Sequence, residues 1–474
     1  MKFSSRSLAI AIAIAAVVAA AFAASASAAD RMWVGFHDDP VFRFDQDRQT
    51  ELDRVRSNNS TALRTLVEWH RVAPERPANA ANPFDPAYRF DDLDEFVRNA
   101  QLRGMEVLMT IWGTPKWANG NQGPQFLPKR MADFQSFARA LASRYSGRFA
   151  GYPFVRFFGI WNESNLGTFL APQFNSSGRI VSPAAYARLA AAGYAGIKAG
   201  SAKALVAIGE TSSTGRDRRK GGATDSVAPA TFARLVAQAS KRLKFDAWAQ
   251  HPYPFPVNQR PSQLVKYPNV ALTSLRQFEQ DLDRWFGRPN IPIWITEYGN
   301  ETKPGEPNGV TESQQARYVP QAINLVKNDP RVTMFVWFVF RDSPGSLWQS
   351  GLYRLTGGAK PAQSKWASTA RPLDMVNGKV TVKGGTANPI VTVYLREFCA
   401  NNPIGAAVGV NARTSLAGKL VQLSQSSRNL AMDCTVPVRL DGLTVAKGKS
   451  YTAQIDANTK VSGSLQRTIT IVGS

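Results

Sequence analysis

Two glutamates carry the chemistry that this chain suggests. In Phe157-Phe158-Gly159-Ile160-Trp161-Asn162-Glu163-Ser164-Asn165 an apolar run breaks abruptly into Asn-Glu-Ser-Asn. Ile291-Pro292-Ile293-Trp294-Ile295-Thr296-Glu297-Tyr298-Gly299-Asn300 has the same build. Each apolar run reads as a fully buried strand, and each glutamate stands at its end. Burial disfavours the charged form of a carboxyl placed there, so the position is unfavourable unless something uses it. Paired carboxyls of this kind are what glycoside hydrolysis needs. One gives a proton to the departing oxygen, and the other attacks the sugar or activates water. The plain alternative is that each glutamate caps a helix or pairs with an arginine. That suits either one alone, whereas two in equivalent positions favour catalysis.

The elements that must position this pair alternate along the chain. Strands are expected over 32–37, 61–67, 105–112, 154–161, 204–209, 245–250, 291–296 and 332–340. Helices are expected over 45–56, 88–102, 131–145, 184–198, 229–243, 272–286 and 312–327. In the second of these, Phe90, Leu93, Phe96, Val97 and Ala100 recur at helical spacing. Eight strands alternating with helices predict parallel β structure closed as a (β/α)8 TIM barrel. An open doubly wound sheet is the runner-up, but no Gly-rich dinucleotide loop follows the first strand. From about residue 374 the texture changes to short strand-like runs separated by Gly, Asn, Ser and Pro, with no helical period. This predicts a C-terminal antiparallel β-sandwich. The expected organisation is an export signal (1–29), a catalytic barrel (30–372) and a β-sandwich accessory domain (373–474). The sandwich has few aromatics, Tyr394, Phe398 and Tyr451, so a structural role is favoured over carbohydrate binding.

In a barrel of this class, chemistry sits at the C-terminal ends of the strands. Read in order, those ends carry His37, then Arg64 and Glu68, Trp112, Asn162 and Glu163, Glu210, His251 and Tyr253, Glu297, and Trp337 with Asp342. Five carboxylates compete. The pattern resembles the clan A glycoside hydrolases, with families 5 and 39 as the nearest within it. Trp161-Asn162-Glu163 is similar to their strand-four signature, which supplies the acid/base. Ile295-Thr296-Glu297-Tyr298-Gly299 is similar to the strand-seven signature, which supplies the nucleophile. His251-Pro252-Tyr253 matches a His-x-Tyr on strand six. Arg64 with Trp69, Arg71 and Pro74 resembles a strand-two motif whose arginine supports the nucleophile. The resemblance spans roughly residues 32 to 345. Ser164 departs from it, since proline often follows the Asn-Glu.

The resemblance implies roles. Glu297 stays ionised, supported by Arg64 and the Tyr253 hydroxyl. Glu163 begins protonated and later acts as base toward water. The two carboxyls should lie about 5–5.5 Å apart, as in retaining enzymes. Asn162 would hydrogen-bond the sugar 2-hydroxyl. Trp337 would floor the subsite before the cleaved bond, because sugar C–H faces pack on flat rings; core packing is its alternative. Trp112, Trp117 and Trp348 are further platform candidates, and His251 and His37 would contact sugar hydroxyls. Glu210 and Asp342 read as positioning groups, and Glu68 as a partner of Arg71.

Composition bounds the rest. The chain has 474 residues, 44% hydrophobic and 10% aromatic, which is long enough for two domains. Lys2 and Arg6 precede an apolar run over 8–24 and then Ala-Ser-Ala-Ser-Ala-Ala, a secretory signal with cleavage expected near Ala28 or Ala29. A membrane anchor is the alternative, but the run is short and ends in small residues. The secreted protein is expected to be a monomer, free of the membrane. Cys399 and Cys434 are expected to pair in the oxidising compartment, stabilising by roughly 4 kcal/mol if geometry allows. With three histidines and no zinc spacing, no metal or cofactor is expected. The formal charge of +22 drops by two when Lys2 and Arg6 leave with the signal. Such a charge suits an anionic polysaccharide, or else only solubility. Without a nucleic-acid motif, a specific nucleic-acid role is not expected. The expected activity is a retaining O-glycosidase on a poly- or oligosaccharide. A catalytically inactive carbohydrate-binding barrel and a transglycosylase using the same glutamates are the rivals.

Overall fold

The computed structural model of the protein describes residues 32–103, 105–327, 329, 331–343, 348–370, 379–394, 407–429, 435–459 and 463–474. The signal segment, Cys399 and Cys434 fall outside these residues, and the signal and disulfide expectations with them.

Eight strands close into a parallel barrel in chain order. They are β1 (Trp33–His37), β2 (Ala62–Glu68), β3 (Glu106–Trp112), β4 (Phe157–Ile160), β5 (Leu205–Ser212), β6 (Ala247–His251), β7 (Ile293–Tyr298) and β8 (Val332–Phe338). Direct pairing of β8 with β1, from Trp33↔Met334 to His37↔Phe338, excludes the open sheet. Besides shorter turns of helix, a longer helix follows each strand: α1 (Arg48–Ser57), α2 (Asp91–Leu102), α3 (Met131–Arg144), α4 (Ser182–Gly200), α5 (Pro229–Ala239), α6 (Leu275–Phe286), α7 (Glu312–Val326) and α8 (Pro361–Thr369). The last of these was not expected. α2 shows why such segments become helices. It buries Leu93, Phe96, Val97 and Ala100 on one face and places Asp91, Asp92 and Asp94 in its first turn, where the helix dipole favours negative charge. α7 starts with a capping box: the Gln314 N–H donates to Thr311 Oγ1 at 3.2 Å, and the Thr311 N–H to Gln314 Oε1 at 2.8 Å.

The two faces of the barrel strands alternate. Trp33, Ala62, Leu108, Phe157, Ala207, Ala249, Trp294, Met334 and Val336 belong to one buried cluster and fill the barrel. Their neighbours, including Phe36, Leu63, Phe158, Ile208, Trp248, Ile295, Phe335 and Trp337, belong to another and meet the helices. A period of two residues per strand repeat requires this. The register shifts in three places, between Gly209 and Thr211 on β5 and, where β7 meets β8, between Ile293 and Trp294 and between Ile295 and Tyr298.

The C-terminal region holds β9 (Lys379–Val382), β10 (Ile390–Tyr394), β11 (Ala407–Leu416), β12 (Lys419–Asn429), β13 (Thr435–Arg439), β14 (Ser450–Thr459) and β15 (Gly463–Gly473). They form a five-stranded sheet, β12-β11-β14-β15-β9, and a two-stranded sheet, β10-β13. The sandwich architecture agrees with expectation. Within it, β9 pairs parallel to β15, a departure from a purely antiparallel arrangement. Among the described residues, no helix is long and apolar enough to cross a membrane.

Candidate active site

The site is built around a fully buried arginine. Arg64 lies on the barrel-facing row of β2, and its guanidinium reaches five groups. Nη1 donates to Glu297 Oε1 at 2.6 Å, and Nη2 to Asn162 Oδ1 at 2.7 Å and Glu210 Oε2 at 3.0 Å. Nε donates to Thr110 Oγ1 at 3.2 Å, and Nη1 also lies 2.7 Å from His37 Nδ1. A guanidinium only donates, so His37 Nδ1 accepts and the ring proton sits on Nε2, 3.5 Å from Asp39 Oδ2. A buried cation of this kind is tolerable only because carboxylates and polar acceptors surround it.

Glu210 is the floor of the site. The backbone slip on β5 and a positive φ of 46° turn it inward. It accepts from Thr110 Oγ1 at 3.1 Å and Thr296 Oγ1 at 3.0 Å, and contacts His251 Nε2 at 3.2 Å. Burial alone would raise its carboxyl, but Arg64 and His251 bring it below the usual range. The carboxylate occupies the space where a side chain on β4 would go. A Cβ on Gly159 would come within 2.3 Å of Glu210 Oε1, so the strand that leads to Glu163 must carry glycine there. Its side chain is fully buried, so what it contacts here is Arg64, His251 and the two threonine hydroxyls.

Glu163 and Glu297 stand above this floor, and both are reachable, with side chains 15% and 10% exposed. A carboxylate oxygen from each and a ring nitrogen of His251 lie within 4.8 Å of one another. Strict alternation on β7 would point Glu297 away once Thr296 faces in. The slip before Tyr298 lets both face the barrel mouth. Glu297 is held at both oxygens, Oε1 by Arg64 and Oε2 by the Tyr253 hydroxyl at 3.1 Å. Burial would push its carboxyl up. The positive charges of His251 and Arg64 overcome this and hold it well below the usual carboxylate range. Glu163 follows two non-regular positions. Trp161 has φ 71° and Glu163 itself φ 38°, so the chain leaves β4 in a sharp turn that lifts the carboxyl into the cleft.

His251 bridges all three glutamates. Its Nδ1 is 3.2 Å from Glu163 and 3.5 Å from Glu297, and its Nε2 faces Glu210. Burial opposes its charge, but Glu297, Glu163 and Glu210 push its pKa up to about 9. The three donor atoms are close enough to hold a cation, but an imidazole kept protonated offers no lone pair to one. The titration sets a stability profile. Below the ordinary value of 6.5 the imidazolium contribution is complete, and it is lost as pH rises through about 9. The depressed Glu297 acts at the other end, with its contribution present above 4.5 and lost on acidification. In urea unfolding, the gap in stability between the wild type and His251→Asn should therefore shrink on raising pH from about 6 to about 9. The expected change is on the order of a few kcal/mol. A gap independent of pH would mean that His251 is neutral throughout.

Among the remaining sequence candidates, Asn162 is buried with Oδ1 on Arg64, which leaves its NH2 as a donor for substrate. Glu68 pairs with Arg71 at 3.0 Å, as expected, and Asp342 pairs with Lys360 at 2.6 Å while accepting from the Gly351 N–H. Trp112 is half-buried, edge-on to His70 and Phe169, with Nε1 donating to the Phe169 carbonyl. Trp117 donates to the Ala73 carbonyl and stacks under Arg76.

Trp337 is a correction. It is fully buried, donates to the Ser350 carbonyl at 2.9 Å, and packs on Tyr298 and on Trp366 of α8. Its place in the β8 alternation turns it toward the helices, and the inward neighbour is Phe338. The Phe338 ring lies 5.1 Å from His37 and 6.2 Å from Trp348, which in turn meets Tyr253 at 5.2 Å. Phe338 and Trp348 thus supply the aromatic wall beside Glu297. The β8 pattern Met334, Val336, Phe338 was the signal that could have found it. Trp337→Phe should lower the melting temperature while leaving KM unchanged, as for other shape changes in a packed core. A raised KM with unchanged melting would return Trp337 to the substrate.

A closed (β/α)8 barrel with two reachable carboxylates on the ends of β4 and β7 is the architecture of a clan A glycoside hydrolase. The family model described as Cellulase (glycosyl hydrolase family 5) matches residues 30–340. The chain belongs to glycosyl hydrolase family 5, and the activity that goes with that membership is glycoside hydrolysis. No curated protein matches it in sequence. Among solved structures it is similar to a family 39 glycoside hydrolase from Bacteroides cellulosilyticus WH2, with 17% identity and TM-score 0.52 over 88% of this chain and 82% of that one. It is also similar to GH5_18 from Streptomyces cattleya in complex with GlcNAc, with 16% identity and TM-score 0.52 over 75% and 85%. At these identities the likeness is one of fold.

Proposed function

We propose that the protein is a secreted, monomeric, retaining O-glycosidase that cleaves a poly- or oligosaccharide by double displacement. In the first step a Glu297 oxygen bonds to the anomeric carbon while the glycosidic C–O bond breaks, and Glu163 gives its proton to the departing oxygen. In the second, Glu163 takes a proton from water, whose oxygen bonds to the anomeric carbon and releases Glu297. The observation that carries the reading is the unequal support of two neighbouring carboxyls. Oxygens of Glu163 and Glu297 lie within 4.8 Å, while only Glu297 is gripped by both Arg64 and Tyr253. Inverting enzymes need their carboxyls about 6.5–9.5 Å apart to admit a water, and retaining ones about 5–5.5 Å.

Following the reaction of an aryl glycoside by proton NMR tests this. The first-formed sugar should keep the anomeric configuration of the substrate. Appearance of the opposite anomer first would overturn double displacement. Export is tested separately: the protein recovered from culture medium should begin at Ala29 or Asp30, and retention of residues 1–28 would refute cleavage.

A further inference from the structure

The loops after β4, β5 and β6 line an open hollow of about 390 Å³ against the turn that follows Glu163. Leu166 lines it, and the Leu166 N–H donates to the Glu163 carbonyl at 2.9 Å. Another wall is Phe255, on the loop after β6 that carries Tyr253, with 54% of its surface exposed. A proton donor stands next to the leaving-group oxygen, so a hollow against the turn that carries Glu163 is where the saccharide beyond the cleaved bond could extend.

A third wall is Arg216, the start of the exposed run Arg216-Asp217-Arg218-Arg219-Lys220. Its acids do not neutralise it. Asp217 is occupied by the Ala228 N–H and the Thr231 hydroxyl, both at 2.7 Å. Asp225, also at the hollow, accepts the N–H groups of Lys220 and Gly221 at 2.6 and 2.7 Å. Arg216 and Arg219 reach only carbonyl oxygens, of Thr224 and Ser176. Among the described residues, none of the four cations in the run pairs with a carboxylate. An unneutralised guanidinium beside an exposed aromatic face suits a sugar that carries an anion.

We propose that this hollow receives the leaving-group portion of an acidic saccharide, its ring on Phe255 and its carboxylate at Arg216. The proposal rests on the roles given above to Glu163 and Glu297. The test is affinity electrophoresis of the full chain in gels containing polygalacturonate. Polygalacturonate should retard the protein and its carboxyl-reduced polymer should not. The single variants Arg216→Glu and Phe255→Ala should each weaken retardation roughly tenfold with melting temperature held. Equal retardation by the reduced polymer, indifference to these variants, or displacement by duplex DNA at equal charge would overturn it. Short galacturonate oligomers should also raise the wild-type KM for an aryl glycoside without lowering kcat; noncompetitive inhibition would place the acid elsewhere. An enzyme that turns over no aryl glycoside at all would instead sink the roles of Glu163 and Glu297, and retardation would still report on the charge.

Discussion

Glu297→Gln should abolish turnover, by roughly 10⁴-fold or more, as loss of an enzymic nucleophile does. The amide keeps the volume and the oxygen that Arg64 grips at 2.6 Å, so the loss will be chemical rather than architectural. It removes the negative charge that helps to balance Arg64 and His251, two buried cations that then share Glu210 and Glu163. The variant should therefore also melt lower, by an amount in keeping with about 2–3 kcal/mol for weakening a partly reachable ion pair. Calorimetry with an activity assay on one preparation measures both effects. Turnover within tenfold of wild type would remove Glu297 from the chemistry.

Glu163→Ala should behave differently. Donation of a proton is worth about 10²- to 10⁴-fold when the leaving group is poor, and little when it departs unaided. Substrates with an alkoxide leaving group should lose that factor, whereas a dinitrophenyl glycoside should still form the glycosyl-enzyme. The second step then lacks its base, so the intermediate accumulates as a burst. Added azide, which needs no base, should restore turnover and give a glycosyl azide of retained configuration. Steady-state rates across a leaving-group series, with mass spectrometry of the protein, check this. Equal, small effects from this change and from Glu297→Gln would refute the division of labour.

Both experiments concern residues visible in the sequence, because each glutamate follows its apolar run directly. That adjacency is a local property: a buried strand that breaks at a carboxylate can be read without any partner. Arg64 and His251 were equally legible as strand-end residues, but their convergence on three glutamates was not. Glu210 read as one carboxylate among five. Only the hydroxyls of Thr110 and Thr296, with Arg64 and His251, identify it as the buried floor. Trp337 failed for a reason of parity. The run Phe335-Val336-Trp337-Phe338 is apolar on both faces, so nothing local says which ring looks into the barrel.

The eight barrel strands, seven of the helices between them, the change to strand-like runs near residue 374 and the two glutamates that end core strands were all legible in the residues themselves. These follow from apolar periodicity and from breaks in it, which neighbouring residues set among themselves. The tertiary structure decided where side chains point. One-residue slips on β5 and β7 turn Glu210 and Glu297 inward against the two-residue period, and closure of β8 on β1 brings Phe338 to His37. Such slips depend on register with strands remote in the chain, and no local pattern of residues encodes them.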